Sequence, residues 1–171
     1  MNSIEMKNNI IVVDDNDCIT DYKPREIVDK ENLRYRVSAL WIENSKGEIL
    51  LAKRAYTKSH YPGRWGPSVS GTVEKGESYE DNIIKESEEE LGLENIKLIQ
   101  GPKFKRDTEY KHFTQWFFTT INKPAEKLKI QSEEVAEVKW FTKEELKKLF
   151  KNNPRDFIPS LKEMLNHFTQ P

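Results

Sequence analysis

Residues 79–91 form a helix whose two ends are written into the chain, and that bounded helix limits the folds open to the sequence. Ser78 offers a side-chain oxygen to the free N–H groups of the first turn, and Asp81 stands three positions on, where it reaches back to the cap. Gly92 supplies the left-handed residue that stops a helix. Apolar runs separated by turn residues flank it on both sides. Residues 9–13 and 17–20 read as two short strands around an Asp-Asn turn, followed by a polar connection over 21–32. Residues 37–42 and 48–54 read as a hairpin closed by Asn44, Ser45 and Gly47, with both strands central in a sheet. An irregular loop punctuated by Pro62, Gly63, Gly66 and Pro67 leads to a strand at 68–73, and further strands are expected at 96–99, 113–120 and 135–141. Thr142 with Glu145 caps a helix reaching Phe150, Asn152, Asn153 and Pro154 break it, and residues 157–168 form a last amphipathic helix. Strands, helix, strands and helices in that order describe an α/β (α+β) layered domain.

The chain has 171 residues, 36% of them hydrophobic, enough for one core and one domain, expected over 9–168 with tails at 1–8 and 169–171. Basic and acidic side chains number 28 and 29, a net charge of −1, so no overall field favours an extended nucleic acid. Cys18 is the only cysteine, which excludes an intramolecular disulfide framework and a cysteine-rich zinc site. No apolar run approaches the roughly 18–20 residues of a membrane span and no signal segment opens the chain. The expectation is a soluble cytoplasmic protein with a small-molecule partner, compatible with a homodimer.

The near-neutral total conceals two opposed segments. From Glu74 to Glu90 stand Glu74, Glu77, Glu80, Asp81, Glu86, Glu88, Glu89 and Glu90 against Lys75 and Lys85. From Lys53 to Arg64 stand Lys53, Arg54, Lys58, His60 and Arg64 with no acid. On the helix, Glu86, Glu89 and Glu90 fall at about 0°, 300° and 40°, beside the face that packs on the sheet. Three clustered carboxylates raise one another's pKa unless a cation joins them, and Mg²⁺ or Mn²⁺ suits an all-oxygen set. Such a helix can equally be a solvated acidic face, and only the spacing decides.

That spacing resembles the Nudix box: Gly, five residues, Glu, seven residues, Arg-Glu, two residues, Glu-Glu, one residue, Gly and an aliphatic residue. Gly71, Glu77, Glu86, Glu89, Glu90, Gly92 and Leu93 match it. The resemblance implies a Nudix-type α/β/α sandwich with a mixed central sheet. It also implies Glu86, Glu89 and Glu90 as metal ligands with the Gly71 carbonyl, and Glu77 as a supporting carboxylate. Lys85 replaces the box arginine and lacks its planar fork, which loosens the support expected for Glu77 and Glu89. Ser87 is a mild departure.

The stretch from Trp41 to Arg54, the Pro62-Gly63-Arg64-Trp65 turn and Gly76-Glu77-Ser78 look like the branch that contains isopentenyl-diphosphate isomerase. Ser70 occupies the position of that enzyme's cysteine, Tyr35 and Thr72 stand where its metal-site histidines are expected, and His112 is the nearest counterpart of its later glutamate. A serine hydroxyl does not replace a thiol in acid–base work, so isomerisation is disfavoured. The resemblance then implies a metal-dependent Nudix hydrolase cleaving a phosphoanhydride in a nucleoside diphosphate derivative or similar organic diphosphate. The general base is expected to be Glu89 or Glu86, with Glu133, Glu134 or Glu137 as a second candidate and Glu134 chosen among them, and the substrate-binding residues Arg54, Arg64 and Trp65. The alternatives are an isomerase with altered residues and a nucleotide-sensing module that does not cleave.

Overall fold

A computed structural model describes the backbone of residues 9–169 and side chains through Asn166. The expected tails, 1–8 and the last two residues of 169–171, lie outside the described residues. The chain opens with β1 (Asn9–Val13) and β2 (Ile19–Pro24), an antiparallel pair whose turn is held by the Asp14 carboxylate accepting the N–H groups of Asn16 and Cys18. The expected polar connection is in fact structured: β2 runs on to Pro24, and a short helix, α1 (Arg25–Lys30), follows. Pro24 pre-sets the helix start, and Val28 anchors the helix against Ile10, Val12 and Tyr35.

β3 (Tyr35–Glu43) is the centre of one nine-stranded sheet. It pairs antiparallel with β1, β4 (Ile49–Arg54) and β6 (Val69–Thr72), and parallel with β8 (Lys111–Thr120). β4 carries β5 (Trp65–Gly66) and β9 (Val135–Phe141). Period-two alternation sorts the apolar runs to two faces. Ala39, Trp41, Ile49 and Leu51 pack under α3 (Lys143–Asn152) and α4 (Pro159–Thr169). Leu40, Ile42 and Leu50 pack under α2 (Tyr79–Leu91) with Ile83 and Leu91. The expected mixed sheet between helices is therefore present, and both helix caps predicted for α2, the Ser78–Asp81 box and left-handed Gly92, form as expected.

β3 and β4 pair at only Ile42–Leu50 and Glu43–Ile49 and then separate, β3 towards β6 and β4 towards β5 and β9. Buried Ser68 sits at this fork. Its hydroxyl accepts the Ile42 N–H at 3.2 Å and donates to the Leu50 carbonyl at 2.6 Å, mending the ladder where the strands part.

The strand expected at 96–99 is displaced. β7 runs from Ile99 to Asp107 and pairs with β8 through a bulge between Gln100 and Lys103. Gly101 and Pro102 read locally as a turn, but an edge strand tolerates proline at a bulge. Among the described residues no helix is long and apolar enough to cross a membrane.

Candidate active site

The fork opens into a cleft of about 290 Å³, lined by residues of both strand sets and of the loop after β4. Its charged lining mixes Glu74, Glu86, Glu90 and Glu134 with Arg25, Arg54 and Lys58, and Lys58 is paired with Glu134. β6 and α2 meet so closely that a Cβ at Gly71 would lie 2.3 Å from Glu86 Cγ and 2.7 Å from Asn82 Oδ1. Only glycine lets the strand reach the carboxylates there.

Burial differs sharply among the three box glutamates. Glu90 is 6% exposed, Glu86 is partly buried and Glu89 is exposed and outside the cleft. The apolar stripe Ile83, Ser87 and Leu91 explains the order, since Glu90 lies about 60° from its centre and Glu89 about 160°. The three are thus not gathered on one edge, as expected from the helical angles. Burial pushes the Glu86 carboxyl up to about 7, opposed by Lys85 and reinforced by Glu89, Glu77 and Glu134. Burial also drives Glu90 well above the carboxylate range, with Glu86 and Glu134 adding to it, while the Ser70 N–H and Arg54 oppose. Among the described residues no three acidic, histidine or cysteine side chains form a ready-made metal cage. The crowded carboxylates of Glu86 and Glu90 are oxygen donors of the kind a hard divalent cation takes, and such an ion would relieve the repulsion that burial intensifies.

Glu77 holds the preceding loop to the helix. Its carboxylate accepts the Glu74 N–H at 3.0 Å, Asn82 Nδ2 at 2.9 Å and Lys85 Nζ at 2.6 Å. Lys85 also lies 3.6 Å from Glu86 and 3.7 Å from Glu74, so its charge is directed to Glu77 and Glu86 rather than to Glu89. Asn82, fully buried, bonds Ser38 and the Thr72 carbonyl and ties α2 to both β3 and β6. Nothing in its sequence position distinguishes it from any polar residue in the first turn of an acidic helix.

Arg54 lines the cleft, donates through Nε to the His60 carbonyl at 2.8 Å, and is held below its ordinary pKa by burial against the pull of Glu90 and Glu134. Lys58 is ion-paired to Glu134, and the Ala55 N–H donates to the Glu134 carbonyl at 2.9 Å. Arg64 and Trp65, expected to bind substrate, are not in the cleft. The Arg64 guanidinium lies over Tyr61, 5.4 Å from the ring centroid. Trp65, partly buried, packs edge-on against Phe141 at 5.1 Å and its carbonyl accepts the Ile158 N–H, so it lies against the edge of the core beneath α4. Arg25, not Arg64, joins Arg54 and Lys58 in the lining of the cleft. It donates to Thr72 Oγ1 and stacks over Tyr35 at 4.9 Å.

Comparison with known proteins agrees with this arrangement. A family model for the NUDIX domain matches residues 32–161. An uncharacterized Nudix hydrolase from Listeria monocytogenes is 31% identical over 145 residues, covering 79% of this chain and 83% of that protein. Another, from Pseudomonas aeruginosa, is 30% identical over 132 residues, with 77% of each chain covered. The crystal structure of DR0079 from Deinococcus radiodurans superposes with a TM-score of 0.81 at 21% identity, covering 95% of this chain and 99% of that one. With a NUDIX domain matched over residues 32–161 and relatives about 30% identical over most of their length, and with the glycine-limited contact of β6 and α2 beside a cleft that gathers acids and cations, this protein belongs to the Nudix hydrolase family of pyrophosphohydrolases.

Proposed function

We propose that the protein hydrolyses a phosphoanhydride bond in a nucleoside diphosphate derivative or similar small organic diphosphate, with Mg²⁺ or Mn²⁺. The observation that carries this reading is the gathering of Glu86, Glu90 and Glu134 with Arg25, Arg54 and Lys58 in the lining of one cleft. Glu86 and Glu90 would hold the cation, with the Gly71 carbonyl as a further ligand. The ion supplies charge neutralisation at the phosphoryl oxygens and acidifies water. Arg54 and Lys58 bind the non-bridging oxygens and align the anhydride. Glu134 takes the proton of the attacking water as the new O–P bond forms and the bridging P–O bond breaks, and the leaving group departs as a phosphate. Glu77 and Lys85 keep the loop and helix in register. Ser70 lines the cleft where the isomerase reading needs a thiol, which favours hydrolysis over double-bond migration.

Assay of a panel of nucleotide-linked and other organic diphosphates with Mg²⁺ or Mn²⁺ tests the reading. Glu86→Gln and Glu90→Gln are each expected to lower turnover by more than about a hundredfold, and Glu134→Gln by about a hundredfold or more. Undiminished turnover in both Glu86→Gln and Glu90→Gln would remove these residues from the chemistry. Tight binding without product under either metal would favour the sensing module.

A further inference from the structure

Hydrolysis asks Lys58 to hold a phosphate oxygen and Glu134 to take a proton, yet the Lys58 ammonium donates to Glu134 Oε2 and the two charges are paired with each other. A carboxylate oxygen that accepts from an ammonium has that lone pair occupied, and an ammonium so engaged presents less charge to an anion. The other two cations of the lining are placed differently. Arg54 is fixed through Nε to the His60 carbonyl at 2.8 Å, and Arg25 through Nη2 to Thr72 Oγ1, with its ion-pair partner Asp29 outside the lining. Of the three, among the described residues, Lys58 alone is paired with an acid of the cleft itself.

The backbone around the pair is held without it. The Ala55 N–H donates to the Glu134 carbonyl at 2.9 Å, the Glu134 N–H to the Gln131 carbonyl at 3.0 Å and the Gln131 N–H to the Glu90 carbonyl at 3.0 Å, while the Lys58 N–H donates to the Ala55 carbonyl at 3.2 Å. Both side chains can therefore change partner while the segments that carry them stay in place. They are 29% and 34% exposed, so an incoming anion reaches the pair, and an ion pair this open to water is weakly held. The four-carbon stem of a lysine lets its ammonium turn to a stronger anion, and a diphosphate carries more charge than one carboxylate.

We propose that the Lys58–Glu134 pair is a catch which the substrate opens: the diphosphate draws the Lys58 ammonium off Glu134, and the carboxylate so released is the one that accepts the proton of the attacking water. With the pair closed, the base is masked. Lys58 is then a positioning residue as well as a phosphate contact, because it sets when Glu134 can accept a proton. The inference rests on the hydrolase reading for the role of Glu134 as base, but the exchange of partners is a binding event and is tested as one.

The test uses the full chain with Mg²⁺ and methylenediphosphonate, a diphosphate analogue that carries no further group and is not cleaved. Calorimetry compares the wild type, Glu134→Gln, Lys58→Met and the double variant. Glu134→Gln sets Lys58 free beforehand and should bind the diphosphonate about tenfold tighter than the wild type, whereas in the Lys58→Met background the same change should gain about threefold or less. Glu134→Ala, which cannot re-form the bond through an amide oxygen, should gain at least as much as Glu134→Gln. A pair that merely braces the loops predicts the opposite sign, since breaking it would loosen the cleft and weaken binding. The proposal is overturned by equal gains in the two backgrounds, by weaker binding in both Glu134 variants, or by no binding of the diphosphonate to the wild type and Glu134→Gln alike. The expected coupling in a protein that turns over no natural diphosphate would sink the hydrolase reading and leave the catch standing; turnover without the coupling would do the reverse.

Discussion

The carboxyl of Glu86 shows how a single residue can couple stability to ligand binding. Its pKa rises from 4.5 to about 7 on folding, so between those values the native state binds more protons than the unfolded one. The stabilising contribution is complete below about pH 4.5 and is lost as pH climbs through 7. In metal-free protein, Glu86→Gln should therefore melt higher than the wild type at pH 8, on the order of 5 °C, and no higher at pH 4.5. Mn²⁺ should raise the wild-type melting temperature and have a much smaller effect on the variant; a pH-independent difference would show that the carboxyl is not titrating as described. His112 acts with the opposite sign. Burial and Arg106 hold it near 4, so its contribution is lost as pH falls below 6.5. Because the two ranges overlap, the difference between variant and wild type, rather than either raw profile, isolates each group. Lys85 belongs to the same scale. The sequence shows it as a departure from arginine and ties it to Glu77, which it does bond, whereas its turn towards Glu86 and Glu74 instead of Glu89 is settled by proximity after folding.

At the level of elements, legibility followed locality. Both ends of α2 could be read because a capping box and a glycine stop involve only neighbours in sequence, and Ser78→Ala should cost about 1 kcal/mol in denaturant unfolding. α1 could not be read, since six residues make a marginal helix and Val28 is held only by residues of β1 and β3. With α1 unread, Arg25 was unread as a cleft residue. β7 was misplaced because Gly101 and Pro102 signal a turn, whereas Gln115 Nε2, donating to the Gly101 carbonyl at 2.9 Å, stabilises the bulge from the neighbouring strand. Trp65 was misread because an aromatic beside a cationic loop suits a substrate platform, and only the register of β5 turns it against the edge of the core. Two substitutions probe these junctions. Ser68→Ala leaves the Ile42 N–H and the Leu50 carbonyl without their bridge and should destabilise by about 1–3 kcal/mol. Gly71→Ala should be worse than its size suggests, because the new methyl meets Glu86 and Asn82; a destabilised protein with weakened Mn²⁺ binding is expected, and a variant that melts and binds as wild type would contradict the close approach.

Across the whole molecule, the opposed charge segments hidden in a net charge of −1 each send part of their charge into one cleft, Glu74, Glu86 and Glu90 from one and Arg54, Lys58 and His60 from the other. Glu86 and Glu90 come from the helix beneath β3 and β6, while Arg54, Lys58 and Glu134 come from the set built on β4 and β9. The loop after β4 is fastened to the segment before β9 by the Lys58–Glu134 pair and by the Ala55 N–H. Hydrogen exchange with and without a non-cleavable diphosphate and Mg²⁺ should therefore show residues 55–64 and 131–134 slowing together; protection of one without the other would mean that the two do not act as a unit. The fork at Ser68 gives this a mechanical meaning. The protein is built as a pair of tongs whose pivot is two residue pairs long, Ile42–Leu50 and Glu43–Ile49, with one serine as its pin. A slackened pin would let the strand set that carries Arg54 and Lys58 drift against the helix that carries Glu86 and Glu90, so Ser68 fixes the gap between the two halves of the cleft.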